Sequence, residues 1–116
     1  MAILAVVDDL LFRAKLEAAA EALGVTLHIC TDAPTPPAPP NPLPWDRVLI
    51  DLNVSACDPL EVVRAIRARD AHVPIVGYCA HVEAALRDRA LQAGCSLVLA
   101  RSAFVQRIPE LLRDPG

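Results

Sequence analysis

Residues 47–58 read R-V-L-I-D-L-N-V-S-A-C-D, a short apolar run closed by a carboxylate, Asp51. The run has the length and composition of a strand buried on both faces. A loop aspartate that caps a turn would also account for Asp51. A second site bears on the choice. The N-terminal run 2–7, A-I-L-A-V-V, ends in Asp8 and Asp9, so two candidate strands both finish in acids. In an open parallel sheet the carboxyl ends of the central strands line one crevice, and ligands bind there. The rest of the chain reads as the frame that brings these three acids together.

Between the two acid-ended runs, residues 10–23 place Phe12, Leu16, Ala19 and Leu23 at helical spacing, and Gly24 stops the helix. Residues 25–30, V-T-L-H-I-C, form a β-rich run in which His28 reads as a partly exposed strand residue. The segment 33–44 holds seven of the eleven prolines and cannot form an α-helix. A polyproline II chain of that length spans on the order of 35 Å, and returning along a strand needs about 20 Å, so an extended crossover suffices. Pro36 and Pro39 satisfy P-x-x-P, a match that so proline-dense a stretch makes close to unavoidable.

After Asp51, the run Asp58-Pro59-Leu60-Glu61 reads as a helix start with Asp58 at the N-cap and Pro59 in the first turn. The spacing predicts a helix to about residue 69, with Leu60, Val63 and Ile66 inward and Glu61, Arg64 and Arg67 outward. A strand over 73–78 follows, with Pro74 at its start, then a helix over 82–93 stopped by Gly94. A fifth strand over 97–100 leads to a terminal helix over 103–112, interrupted or begun afresh at Pro109.

Five strands alternating with helical patterns imply an α/β fold: a five-stranded parallel sheet of flavodoxin-like order 2-1-3-4-5, with the second helix replaced by the Pro-rich segment. The 116 residues suit a single domain. A core that is 54% apolar and only 3% aromatic must be built from Ala, Val, Leu and Ile. The formal charge of -3, with signs mixed, argues against nucleic acid or an anionic membrane as partner. The N-terminal run lacks the basic flank of a signal peptide and the length of a membrane span, so a cytoplasmic protein is expected. Cys30, Cys57, Cys79 and Cys95 show no C-x-x-C spacing and read as buried free thiols; His28, His72 and His81 are scattered.

Taken together, five landmarks over nearly the whole chain resemble the receiver domain of two-component response regulators. I-L-A-V-V-D-D resembles its first strand and acidic pair; V-L-I-D-L with D-P-L-E-V-V-R-A-I-R, its phosphoacceptor strand and third helix. V-P-I-V-G-Y-C-A-H resembles its fourth strand, and A-G-C-S-L-V-L-A-R-S-A-F its fifth strand with a basic residue. The resemblance implies that Asp51 accepts a phosphoryl group and that Asp8, Asp9, Asp51 and the backbone carbonyl of Asn53 hold Mg²⁺. It implies Arg101 as the charge partner and Cys79 at the position of the phosphoryl-binding hydroxyl. A hard, oxygen-seeking ion would relieve the mutual repulsion of three carboxylates.

Several positions depart from that pattern. Cys79 replaces Ser or Thr, and a thiol is a weak donor. Arg101 replaces lysine, keeping the charge with a different shape. Ser102 replaces the proline of a cis peptide bond, Val98 a switching aromatic ring, Pro59 a turn glycine and Ser55 a loop proline. Two readings therefore stand: a phosphoryl-accepting domain of a phosphorelay, and a pseudo-receiver that binds proteins independently of phosphate. A nucleotide-binding enzyme of the same fold is disfavoured, since D-D-L-L-F stands where a Gly-rich loop would follow the first strand. The expected partners are a sensor kinase or a downstream protein, with no enzymatic role beyond self-phosphorylation. The surface over 25–44, where loss of a helix leaves a strand edge thinly covered, is expected to be an interface for a partner protein or, in a homodimer, for a second copy of the chain.

Overall fold

A computed structural model of the chain describes residues 2–30, 45–54, 58–80 and 83–113. The Pro-rich crossover 33–44, with Pro36 and Pro39, lies outside the described residues, as do Ser55, Cys57 and His81. Five strands, β1 (Ala2–Val6), β2 (Thr26–Cys30), β3 (Arg47–Asp51), β4 (Ile75–Cys79) and β5 (Leu97–Ala100), pair in parallel in the order β2-β1-β3-β4-β5. This is the expected flavodoxin-like sheet. Four helices accompany it among the described residues: α1 (Leu10–Leu23), α2 (Pro59–Arg69), α3 (Ala84–Ala93) and α4 (Arg101–Leu111).

The apolar runs are strands because alternate residues enter two different cores. Ile3, Ala5, Leu49, Val76 and Tyr78 face Phe12 and Leu16 of α1 and Phe104 and Ile108 of α4. Leu4, Val6, Val48 and Ile50 face Val62, Val63 and Ile66 of α2 and Ala90 of α3. Each fully buried Leu, Ile or Val contributes about 1.5–3 kcal/mol, which compensates for the scarcity of aromatic rings.

Local signals explain most element ends. Asp9 caps α1, and Gly24 closes it in the left-handed region at φ 69°. Asp58 caps α2, with Pro59 in its first turn. Pro74 stands just before β4, not inside it, and its carbonyl accepts from the Val48 N–H at 2.9 Å. The start of β3 is fastened to the start of β1: the Ala2 N–H donates to Asp46 Oδ2 at 2.7 Å and the Asp46 N–H to the Ala2 carbonyl at 2.9 Å. Beside this junction Trp45 is buried, edge-on to His28 with centroids 5.0 Å apart. It covers part of the α2–α3 face of the sheet near β1 and β2.

Several expectations need correction. In α1 the third inward residue is Ala20, and Leu23 is exposed. In α2, Val62 is buried as well as Val63 and Ile66. Arg67 does not point outward: its Nε and Nη2 donate to the Gly94 carbonyl at 3.1 and 2.6 Å, and its Nη1 to the Asp70 carbonyl at 3.1 Å. Its long stem lets the guanidinium reach across to the end of α3. The terminal helix starts at Arg101, directly from β5, and runs through Pro109. Pro109 has no N–H to donate to the Val105 carbonyl, so the helix forgoes that hydrogen bond near its end. Arg47 holds that end of α4 in place, its Nη1 donating to the Leu111 carbonyl.

Candidate functional site

The register places the acids at one edge. Val6 pairs with Ile50, and Asp51 pairs with Tyr78, so the residues following β1 lie beside the end of β3. Asp51 is only 3% exposed. Its Oδ1 accepts the Asn53 N–H at 2.8 Å, and Asn53 Oδ1 accepts the Ala80 N–H at 2.8 Å, which joins the loops after β3 and β4. Asp9 is half-buried and uses Oδ1 to cap α1, accepting from Leu11 at 2.9 Å and Phe12 at 3.1 Å. Asp8 stands beside it, also half-buried.

Arg101 begins α4 at the end of β5, and this brings its guanidinium to the acids. Nη2 lies 3.8 Å from Asp51 Oδ2 and 3.9 Å from Asp9 Oδ2. Burial pushes the Asp51 carboxyl above its ordinary 3.8; the Asn53 N–H and Arg101 oppose that shift, whereas Asp8 and Asp9 add to it. Repulsion among the acids was the cause anticipated from the chain, but loss of water is the larger one. Cys79 is 1% exposed, and its thiol is pushed up by burial first and by Asp51 and Glu83 after that, so it stays protonated. Cys95 is a second buried free thiol. Val98 packs against the α2–α3 core.

An aromatic stack beneath the acids carries no signal in motif spacing. Tyr78 stacks on Phe12 at 4.7 Å and lies tilted against Phe104 at 4.2 Å, and the Arg101 guanidinium lies 5.4 Å from the centre of the Phe12 ring. The Tyr78 hydroxyl is buried, with no hydrogen-bond partner among the described residues. The strand register alone could have flagged Tyr78, since it sits opposite Asp51.

No group of three or more His, Cys, Asp or Glu side chains is arranged to hold a metal ion among the described residues. One oxygen each of Asp9 and Asp51 is engaged by backbone N–H groups. The donor set nevertheless suits a hard cation: the remaining Oδ2 atoms both lie within 4 Å of a single positive nitrogen, Arg101 Nη2.

Comparison with solved structures gives a consistent result. A response regulator from Burkholderia pseudomallei, described with a phosphorylated aspartic acid and a calcium ion, matches at TM-score 0.77 and 16% identity over 97% of this chain and 66% of that one. This chain thus spans just under two thirds of that protein. A CheY-like receiver domain from Methanospirillum hungatei matches at TM-score 0.74 and 16% identity, over 96% of this chain and 92% of that one. The chain has the receiver-domain fold. A third match is a sensor histidine kinase's receiver domain, from Pseudomonas aeruginosa, with magnesium in its active-site cleft: TM-score 0.71, 27% identity, 96% of this chain and 95% of that one. No family sequence model and no curated protein matches the chain. Within the receiver fold, Asp8, Asp9, Asp51 and Arg101 all stand at the carboxyl edge of the sheet. No helix among the described residues is long and apolar enough to cross a membrane.

Proposed function

We propose that this receiver-fold domain is a signalling component whose Asp51 accepts a phosphoryl group, with Asp8, Asp9, Asp51 and the Asn53 carbonyl as ligands for Mg²⁺ beside it. The observation that carries this reading is the state of Asp51. Its carboxylate is buried at the end of a central strand, one oxygen held by the Asn53 N–H and the other turned toward Arg101. Such an oxygen is oriented and partly desolvated, as a nucleophile toward phosphorus needs to be. In the transfer, an Asp51 oxygen forms a bond to phosphorus while the bond from phosphorus to the donor group breaks, its electron pair leaving with that group. Bound Mg²⁺ supplies charge neutralisation for the phosphoryl oxygens. Arg101 adds a second positive charge on the same side. The phosphorylated aspartate and cleft-bound magnesium described for two structural neighbours support this assignment. The donor would be a sensor kinase or another phosphoprotein of a relay, and the output a protein contact made in the cytoplasm.

A second reading, a pseudo-receiver that binds its partner independently of phosphate, is favoured by Cys79. A buried, protonated thiol stands where a hydroxyl would bond the phosphoryl group, and it is a weaker donor. The Val98 side chain cannot act as a swinging ring. Incubation with Mg²⁺ and acetyl phosphate followed by intact-mass measurement separates the two. One added phosphoryl group on the wild type and none on Asp51→Asn supports transfer; no added mass on the wild type favours the pseudo-receiver.

A further inference from the structure

Arg101 has an unusual position for a charge partner. One nitrogen, Nη2, lies 3.8 Å from Asp51 Oδ2 and 3.9 Å from Asp9 Oδ2, so a single cation spans from the mouth of β3 to the cap of α1. Each of these acids has already given its other oxygen to backbone, Asp51 to Asn53 and Asp9 to Leu11 and Phe12. The two Oδ2 atoms are therefore the ones left for an incoming ion. Both contacts exceed hydrogen-bond length, and the buried Arg101 Nε has no partner among the described residues. Charge and the underlying Phe12 ring hold the guanidinium here, with no directed bond to the acids among those contacts.

We infer that Arg101 is the site's resident counter-cation and that a divalent ion and the Arg101 guanidinium exclude each other at Asp9 and Asp51. The physical grounds are space and charge. Mg²⁺ binds carboxylate oxygens at about 2.0–2.1 Å and keeps several waters, which would occupy the volume between the two Oδ2 atoms. A second positive charge within a few ångströms of it repels it. The nature of arginine matters, because its weakly hydrated, planar guanidinium can rest over the Phe12 ring while Nη2 faces both carboxylates, whereas an ammonium is a more strongly hydrated point charge. Since the ion pairs are long and part-exposed, they weaken cation binding without abolishing it. The inference rests on the reading of these acids as cation ligands and does not require phosphoryl transfer.

The test is titration calorimetry of the full chain with Mn²⁺ and with Mg²⁺, comparing wild type, Arg101→Gln and Arg101→Lys, with Asp9→Asn as a ligand control. Removing the guanidinium should tighten binding by about tenfold, the value of two part-exposed ion pairs, with the lysine variant between. Equal affinities in wild type and Arg101→Gln would overturn the exclusion and leave the cation site standing. No binding to any of them would overturn the cation reading itself and the exclusion with it. Side-chain nitrogen NMR of wild type gives a readout that needs no variant to fold. The Arg101 resonances should move toward those of a solvated guanidinium as Mg²⁺ is added, and unchanged resonances at saturating metal would refute the displacement.

Discussion

Replacing Tyr78 by Phe removes one buried oxygen that has no hydrogen-bond partner among the described residues and leaves its ring packing in place. Tyr78 is 1% exposed, between Phe12 at 4.7 Å and Phe104 at 4.2 Å, and neither contact involves the hydroxyl. A buried hydroxyl without a partner costs roughly 1–3 kcal/mol. Tyr78→Phe should therefore be more stable than wild type by about 1–2 kcal/mol, or roughly 4 °C in Tm per kcal/mol for a domain of this size. Urea unfolding followed by circular dichroism checks it, with an unchanged m-value showing that the unfolded state is the same. A variant less stable than wild type by 1 kcal/mol or more would mean that the hydroxyl is bonded in solution, and the reasoning would fail. Alkaline pH supplies an independent check. Burial, and then the charge of Asp51, raises the Tyr78 phenol well above its ordinary 10.0. The neutral phenol is thus favoured in the folded state. That contribution is fully present below pH 10 and is lost as pH rises toward the folded value. Wild type should lose stability in that range and Tyr78→Phe should not lose this part. Tyr78 is the only tyrosine, so phenolate absorbance reports it directly.

Asp51→Asn should be at least as stable as wild type at pH 7, because burial disfavours the charged carboxylate more than Asn53 and Arg101 favour it. With a raised folded value, the contribution of Asp51 to wild-type stability is fully present below 3.8 and is lost as pH rises through that raised value, so the advantage of the variant should vanish on acidification; urea midpoints of both proteins from pH 3.5 to pH 7 test this. Arg67→Ala should destabilise by about 1.5–3 kcal/mol, the worth of charge-assisted bonds to the Gly94 and Asp70 carbonyls. Thermal unfolding measures the loss, and a change below 0.5 kcal/mol would make those bonds solvent-replaceable.

Much of this architecture can be read directly from residue order, and the reason is physical. Strands buried on both faces need continuous apolar runs, so Ala2–Val6, Arg47–Asp51 and Ile75–Cys79 announce themselves, and acids at the ends of the first two mark the edge where ligands bind. Caps are local chemistry, so Asp9, Gly24 and Asp58 are legible too. What escapes is whatever depends on distance across elements. Arg67 lies on the polar side of its helical period, yet its stem is long enough to reach Gly94. The residue pattern starts the terminal helix only at about 103, and the position of Arg101 as its first residue, which sets the direction of its side chain, depends on how β5 feeds the helix. The weight of burial over repulsion at Asp51 likewise follows from packing, not from spacing.

The chain's aromatic inventory sharpens the meaning of the acid edge. There are only two phenylalanines and one tyrosine, and all three form one stack between α1, β4 and α4, below the acids. Phe12 takes part twice: its N–H is fixed by Asp9 and its ring lies under Arg101. A change in the charge at Asp51 alters the pull on Arg101, which is 3.8 Å away. Arg101 is the first residue of α4, and its guanidinium lies 3.9 Å from the Asp9 that caps α1 and 5.4 Å from the centre of the Phe12 ring, so a shift of that side chain would bear on all three. Val98 packs against the core on the other face of the sheet. The packing therefore offers charge at Asp51 a physical connection to the α1–α4 face, with stacked rings that do not compress readily, whereas an aliphatic side chain at position 98 leaves no comparable lever on the opposite face.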